Sequence, residues 1–129
     1  MKKYENLIKA LHNLGVIHQY EPPYDVVTLT GLVALYQICF EQAWKAMKEQ
    51  LQEEGYDEGK TGSPRQVLKT AWAAGLITDE EGWLAALADW NETAQAYNEA
   101  VALSIIDAAR NCYYGLFYQL QQELKRRKE

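Results

Sequence analysis

Apolar residues recur at three- and four-residue intervals along most of the chain, which is the spacing of one helical face. Between 4 and 14, Tyr4, Leu7, Ile8, Leu11 and Leu14 share a face, and Gly15 closes the run. The next stretch, VIHQYEPPYDVV, is predicted as a loop, because paired prolines exclude helix and push Glu21 towards an extended backbone. From about Thr28 to Glu54 the apolar positions are Leu32, Leu35/Tyr36, Cys39/Phe40, Ala43/Trp44, Met47 and Leu51. That pattern predicts a helix about 40 Å long at about 1.5 Å per residue.

The following segment, EEGYDEGKTGSPRQ (53–66), has glycines and a Gly-Lys-Thr triplet that suggest a phosphate-binding loop. A loop of that kind needs four residues between its first glycine and the Gly-Lys pair and joins a strand to a helix. Here only Tyr56, Asp57 and Glu58 intervene, two of them acidic, and the flanking pattern is helical. The segment is therefore predicted as a hinge: Gly55 ends one helix in a left-handed cap, and Ser63, Pro64 and Gln66 start the next with a capping box. That helix carries Val67, Leu68, Ala71 and Trp72 and stops at Gly75. Thr78 with Glu81 predicts the next start, with Trp83, Leu84 and Leu87 on one side. After a break near NETAQAY, a last helix is expected from about Tyr97 to Arg127, with Val101, Ile105, Ala108, Cys112, Leu116, Leu120 and Leu124 inward. Helices of this length hide their stripes by packing side by side. The expected fold is all-α, an antiparallel up-and-down bundle of four main helices plus a short extra helix, in one domain over 1–129.

Composition adds exclusions. The 129 residues are 48% apolar and carry a net charge of −5, which argues against a dedicated basic face for nucleic acid. No run approaches the roughly 18 apolar residues of a membrane span, and the N-terminus leads into an amphipathic pattern containing acid, not a secretory leader. Cys39 and Cys112 lie in separate apolar patterns and read as buried thiols in a reducing cytoplasm. His12 and His18 have no cysteine or carboxylate cluster at ligand spacing, so no metal or cofactor is expected, and no nucleophile–base pair emerges. Tyrosine is unusually frequent, nine against two Phe, and NCYYGLFYQ (111–119) surrounds its helix with Tyr113, Tyr114, Phe117 and Tyr118. One face suffices for a core; the surplus suits a dimer or partner contact.

Three segments, FEQAWKAMKEQLQEEG, SPRQVLKTAWAAGLITDEEGW and DWNETAQAYNEAVA, carry a resemblance. Together they resemble the nucleotidyltransferase substrate-binding protein family, itself similar to HEPN bundles. Its pattern reads F-E-x-x-W-K-x-x-K, S-P-R, G-L-I, W and R-N-x-x-x-H-x-Y. The resemblance spans about residues 35–110 and implies a small helical protein, commonly a homodimer. It implies work beside a separately encoded minimal nucleotidyltransferase, often as a toxin–antitoxin pair, with nucleotide or nucleic acid reached only through that partner.

The departures from the pattern matter. The family's Arg is Trp90 here and its His is Gln95, while Asn91 and Tyr97 match. Imidazole exchanges protons near neutral pH and guanidinium clamps phosphate; indole and carboxamide do neither. The expectation is a non-catalytic binding subunit with a pocket around Trp44, Arg65, Asn91, Gln95 and Tyr97, with Lys45, Ser63 and Trp90 as further binding residues. Arg65 stands in a first helical turn, where a cation is disfavoured, and this suggests a specific partner. Tyr97 has two readings: a buried tyrosine bonded to Asn91 or Gln95, or the acceptor to which the partner attaches AMP. The alternatives to a binding subunit are a HEPN-type ribonuclease toxin with a divergent site and a helical adaptor for an unrelated protein.

Overall fold

The computed structural model describes residues 2–129, and among them every regular element is helical. Helix α1 (Lys2–Leu14) leads through a 3₁₀ turn, Gly15–Gln19, and an extended segment to α2 (Val26–Glu53). A one-turn helix α3 (Glu58–Thr61) precedes α4 (Pro64–Ala73) and α5 (Glu80–Glu92). A second 3₁₀ turn, Thr93–Gln95, connects to α6 (Glu99–Ala108), which continues through a wide π turn, Ala109–Tyr113, into α7 (Tyr114–Lys128). The all-α expectation holds.

Cross-helix contacts fix the directions. The Tyr36 and Tyr113 rings lie 5.5 Å apart and Arg127 bonds Glu54, so α2 and the α6–α7 rod run the same way. Lys128 sits over Tyr4 and Arg110 donates to the Ile17 carbonyl, so α1 runs against that rod. Trp83 packs on Phe117 and Tyr113 bonds Asp89, so α5 runs against it too. This is the expected up-and-down order.

Several boundaries differ from the sequence reading, each for a local reason. Helix α2 starts two residues early because Asp25 caps it, its carboxylate accepting from the Thr28 amide at 2.7 Å. Helix α5 is capped by Asp79 and not Thr78, the Asp79 carboxylate accepting from the Gly82 amide at 2.9 Å. Asn98 caps α6, which starts at Glu99 and not Tyr97. The hinge contains α3. Gly55 has φ 90°, the left-handed cap expected of it, and the Ser63–Gln66 capping box is present. Cys39 is buried, but Cys112 is exposed, because the π turn shifts it off the inward stripe; both thiols are free.

The core forms around α2. Tyr36, Phe40, Trp83 and Phe117 are fully or nearly fully buried and meet ring to ring. Among the described residues, α2 is the one helix that by length and composition could cross a membrane, at 28 residues and mean hydropathy 1.3 over its most apolar stretch. Its Leu32, Tyr36, Phe40, Ala43 and Met47 are instead buried among the other helices. Where the helices converge at the opposite end from the π turn, Arg127 donates to Glu123 at 2.7 Å, to both oxygens of Glu54 and to the Ala74 carbonyl. Hydrogen bonds from Arg126 and then Arg127 hold the Glu123 carboxyl down to about 2.

Because its folded pKa is depressed, Glu123 contributes stability in full above its unfolded value of 4.5 and loses it as pH falls towards 2. We expect Glu123→Gln to cost about 1 kcal/mol at pH 7, allowing for solvent screening. Urea denaturation across pH 7 to 2 should show the difference shrinking below pH 4.5. A difference independent of pH would contradict the ion-pair account.

Candidate functional site

The last turn of α5 and the connection to α6 hold four of the expected residues, and local chemistry decides where each points. Trp90 lies one turn beyond Ala86, on the side of α5 that faces α2. Its ring packs 5.2 Å from Phe40, and its indole N–H donates to the Gln37 carbonyl at 3.2 Å. The Thr93 hydroxyl donates to the Trp90 carbonyl at 2.7 Å and helps close α5, and the chain passes into the 3₁₀ turn. Three residues later the Asn98 side chain accepts from the Val101 amide and opens α6.

Tyr97 is caught between a helix end and a helix start, with no helical face of its own to bury. It is 88% exposed, so the reading of a buried tyrosine bonded to Asn91 or Gln95 is overturned. Asn91 and Gln95 are themselves exposed. Beside Tyr97 lies a cavity of about 280 Å³, walled by Thr30, Val33, Ala34 and Gln37 of α2 and by Thr93 and Ala96. Its apolar floor and few hydroxyl and amide groups suit an uncharged or aromatic group.

Trp44 and Lys45 lie farther along α2, beside a second cavity of about 390 Å³ that shares no lining residue with the first. Trp44 is half-buried; its indole N–H is buried without an acceptor in the protein, so no hydrogen bond holds the ring. Lys45 stands 3.8 Å from Glu41. Ser63 caps α4, and Arg65 is exposed on the first turn of that helix, outside both cavities. The single pocket expected around Trp44, Arg65, Asn91, Gln95 and Tyr97 is therefore divided: Tyr97 borders one cavity, Trp44 another, and Arg65 neither.

The cavity beside Tyr97 has no charged residue in its lining. Trp90 has its only donor engaged, and Gln95 carries no titrating proton. Among the described residues no cluster of His, Cys, Asp or Glu is arranged to hold a metal.

Residues 2–126 match the family described as nucleotidyltransferase substrate binding protein like. The chain belongs to this family. Among solved structures it is similar to HI0074 from Haemophilus influenzae, with a TM-score of 0.80 at 19% identity, over 95% of this chain and 98% of that one. HI0074 has the fold of a substrate binding domain of a nucleotidyltransferase, and at this identity the likeness speaks for the fold. A crystal structure of a Thermus thermophilus protein matches with a TM-score of 0.78 at 28% identity, over 92% of this chain and 98% of that one. No curated protein matches the sequence.

For this nucleotidyltransferase substrate-binding chain, the residues that sequence reading missed are Lys3, Lys48 and Lys60, which join Lys45 around the Trp44 cavity. Lys45 and Lys48 are three apart on one helix, which was a visible signal. Lys3 and Lys60 arrive from α1 and α3, so only the fold reveals them.

Burial separates Trp90, at the end of α5, from Tyr97, in the connection to α6. Trp90→Ala should cost about 2–4 kcal/mol through lost ring packing, whereas Tyr97→Ala should change stability by less than about 0.5 kcal/mol. Chemical denaturation of both variants checks this, and a comparable loss for Tyr97→Ala would show that the side chain packs in solution.

Proposed function

We propose that the protein is a non-catalytic subunit that docks a separately encoded minimal nucleotidyltransferase and offers Tyr97 to its active site. One observation carries the reading: a phenol at a family-pattern position stands almost wholly in solvent, between a helix end and a helix start, beside a cavity. Exposed single tyrosines are ordinary on a surface, but this one is presented on a turn fixed at both sides by caps. In the transfer we infer, the Tyr97 oxygen attacks the α-phosphorus of a nucleoside triphosphate held by the partner. A phosphotyrosyl bond forms, the α–β anhydride bond breaks with pyrophosphate leaving, and the phenol proton passes to a base of the partner enzyme. The chain itself needs no base and no anion clamp for this, which fits Trp90 and Gln95. The same two residues count against a HEPN-type ribonuclease, whose chemistry requires both groups.

The setting we infer is a cytoplasmic toxin–antitoxin pair, in which modifying or binding this subunit controls one member. We further infer a homodimer through the outward side of α2. There Val27 (83% exposed), Gly31, Leu35 and Ile38 (52% exposed) follow helical spacing, and the first three line a shallow groove of about 370 Å³ with Val16 and Tyr20. A second copy would remove this apolar stripe from water.

Co-expression of the chain with its minimal nucleotidyltransferase, followed by purification and peptide mass spectrometry, tests the proposal. The two should co-elute, and Tyr97 should carry one added nucleotidyl group that Tyr97→Phe abolishes. Independent migration with unmodified Tyr97 would overturn it, as would RNA cleavage by the purified chain that disappears on replacing Asn91 or Tyr97. For the dimer, sedimentation should show Ile38→Asp shifting the protein to monomer with its helical content intact.

A further inference from the structure

Three separate elements bring ammonium groups to one cavity. Lys45 and Lys48 come from α2, Lys3 from the first turn of α1 and Lys60 from α3, around the half-buried Trp44, with Glu49 as the one carboxylate in the lining. Helical periodicity does not produce this grouping; the fold does. The decisive contact is at Gly59. It is buried where α3 meets the last turn of α2, and a Cβ there would lie 2.2 Å from the Gln52 amide nitrogen. Only glycine lets the two backbones approach so closely, and that approach sets Lys60 at the rim.

The charge is not neutralised from within. Lys45 has Glu41 at 3.8 Å, and Lys48 rests over the Trp44 ring, 5.6 Å from its centroid. Among the described residues neither Lys3, Lys48 nor Lys60 has a carboxylate within 4.0 Å. Four ammoniums against two carboxylates, Glu49 in the lining and Glu41 beside Lys45, leave a local excess of two positive charges in a chain whose net charge is −5. Gathering like charges raises the free energy of the empty site, and an anion that touches several of them offsets that cost.

We propose that this cavity binds the polyphosphate chain of a nucleoside di- or triphosphate. One phosphate group would engage one or two lysines; a chain of them matches ammoniums arriving from three directions. The cavity of about 390 Å³ is sized for a small ligand, and the chain's overall acidity disfavours nucleic acid as the occupant. The grip differs from a glycine-rich phosphate loop: side-chain ammoniums, not backbone amides, meet the anion. The anion site stands on this geometry alone, and only its nucleoside specificity rests on the reading of the chain as a substrate-binding subunit.

Isothermal titration of the purified chain, without any partner enzyme, tests the site with ATP, tripolyphosphate, AMP and inorganic phosphate at low ionic strength. ATP and tripolyphosphate should bind, AMP and phosphate at least tenfold more weakly, and affinity should fall with added salt. Lys48→Gln and Lys60→Gln should each weaken ATP at least fivefold, while Lys69→Gln on α4, which pairs with Glu80, should leave it unchanged. Circular dichroism identifies any variant that fails to fold, and Lys60→Arg should then retain binding as a charge-preserving check. No binding of ATP or tripolyphosphate, or equal losses in Lys69→Gln and Lys60→Gln, would overturn the proposal. Binding that survives while the nucleotidyltransferase fails to dock would leave this site standing and remove only the docking reading.

Discussion

The Tyr36 hydroxyl is buried in the middle of α2, and it donates to the Ala86 carbonyl at 2.5 Å. Desolvation first, and then the neighbouring Tyr113 and Asp89, push this phenol far above its ordinary range, so it keeps its proton and remains a donor. A buried hydroxyl left without its acceptor costs about 1–3 kcal/mol, which makes sliding of α5 along α2 expensive. One turn farther along α5, Trp90 donates to the carbonyl of Gln37, the residue after Tyr36. Two hydrogen bonds, spaced by one turn, thus lock the register of the two helices. Everything the α5–α6 connection presents, Tyr97 included, follows from that register.

The Trp90 substitution gains a second meaning in this frame. An arginine at this position would have to desolvate its guanidinium beside Phe40 or swing it outward to water. Tryptophan satisfies the same backbone carbonyl and adds an aromatic surface to the core. Trp90, which carries no charge, is therefore a residue that tightens the bundle.

What the sequence made legible was whatever depends on near neighbours. The helix faces, the Ser63–Gln66 box and the left-handed Gly55 were all readable because their partners lie within four residues. Asp25 and Asp79 were missed in favour of later or adjacent starts, since several polar residues compete for a cap and only backbone direction chooses among them. Cys112 was misplaced because one extra residue per turn at Ala109–Tyr113 rotates the stripe, and nothing in the local pattern announces a π turn. The division of the expected pocket was invisible for a different reason. A resemblance orders residues along the chain, and it carries no distance between Arg65 on α4 and Tyr97 after α5. The lysine cavity failed to register because half of it comes from α1 and α3.

Helix α2 also sets how the two cavities relate. Gln37 walls the one beside Tyr97, and Lys48 walls the basic one. Eleven residues separate them, about 16 Å along the axis at about 1.5 Å per residue. A nucleophile must come within about 3–3.5 Å of the atom it attacks. A polyphosphate held by the lysines is therefore out of reach of the Tyr97 oxygen as long as α2 stays a straight, packed helix. On the proposed reading, the nucleotide that reacts with Tyr97 is therefore the one held by the partner enzyme, not one in the lysine cavity. The apolar stripe of Val27, Leu35 and Ile38 runs along the outward side of the same helix. The proposed dimer stripe and the lysine cavity thus lie on one helix, which also walls the cavity beside Tyr97.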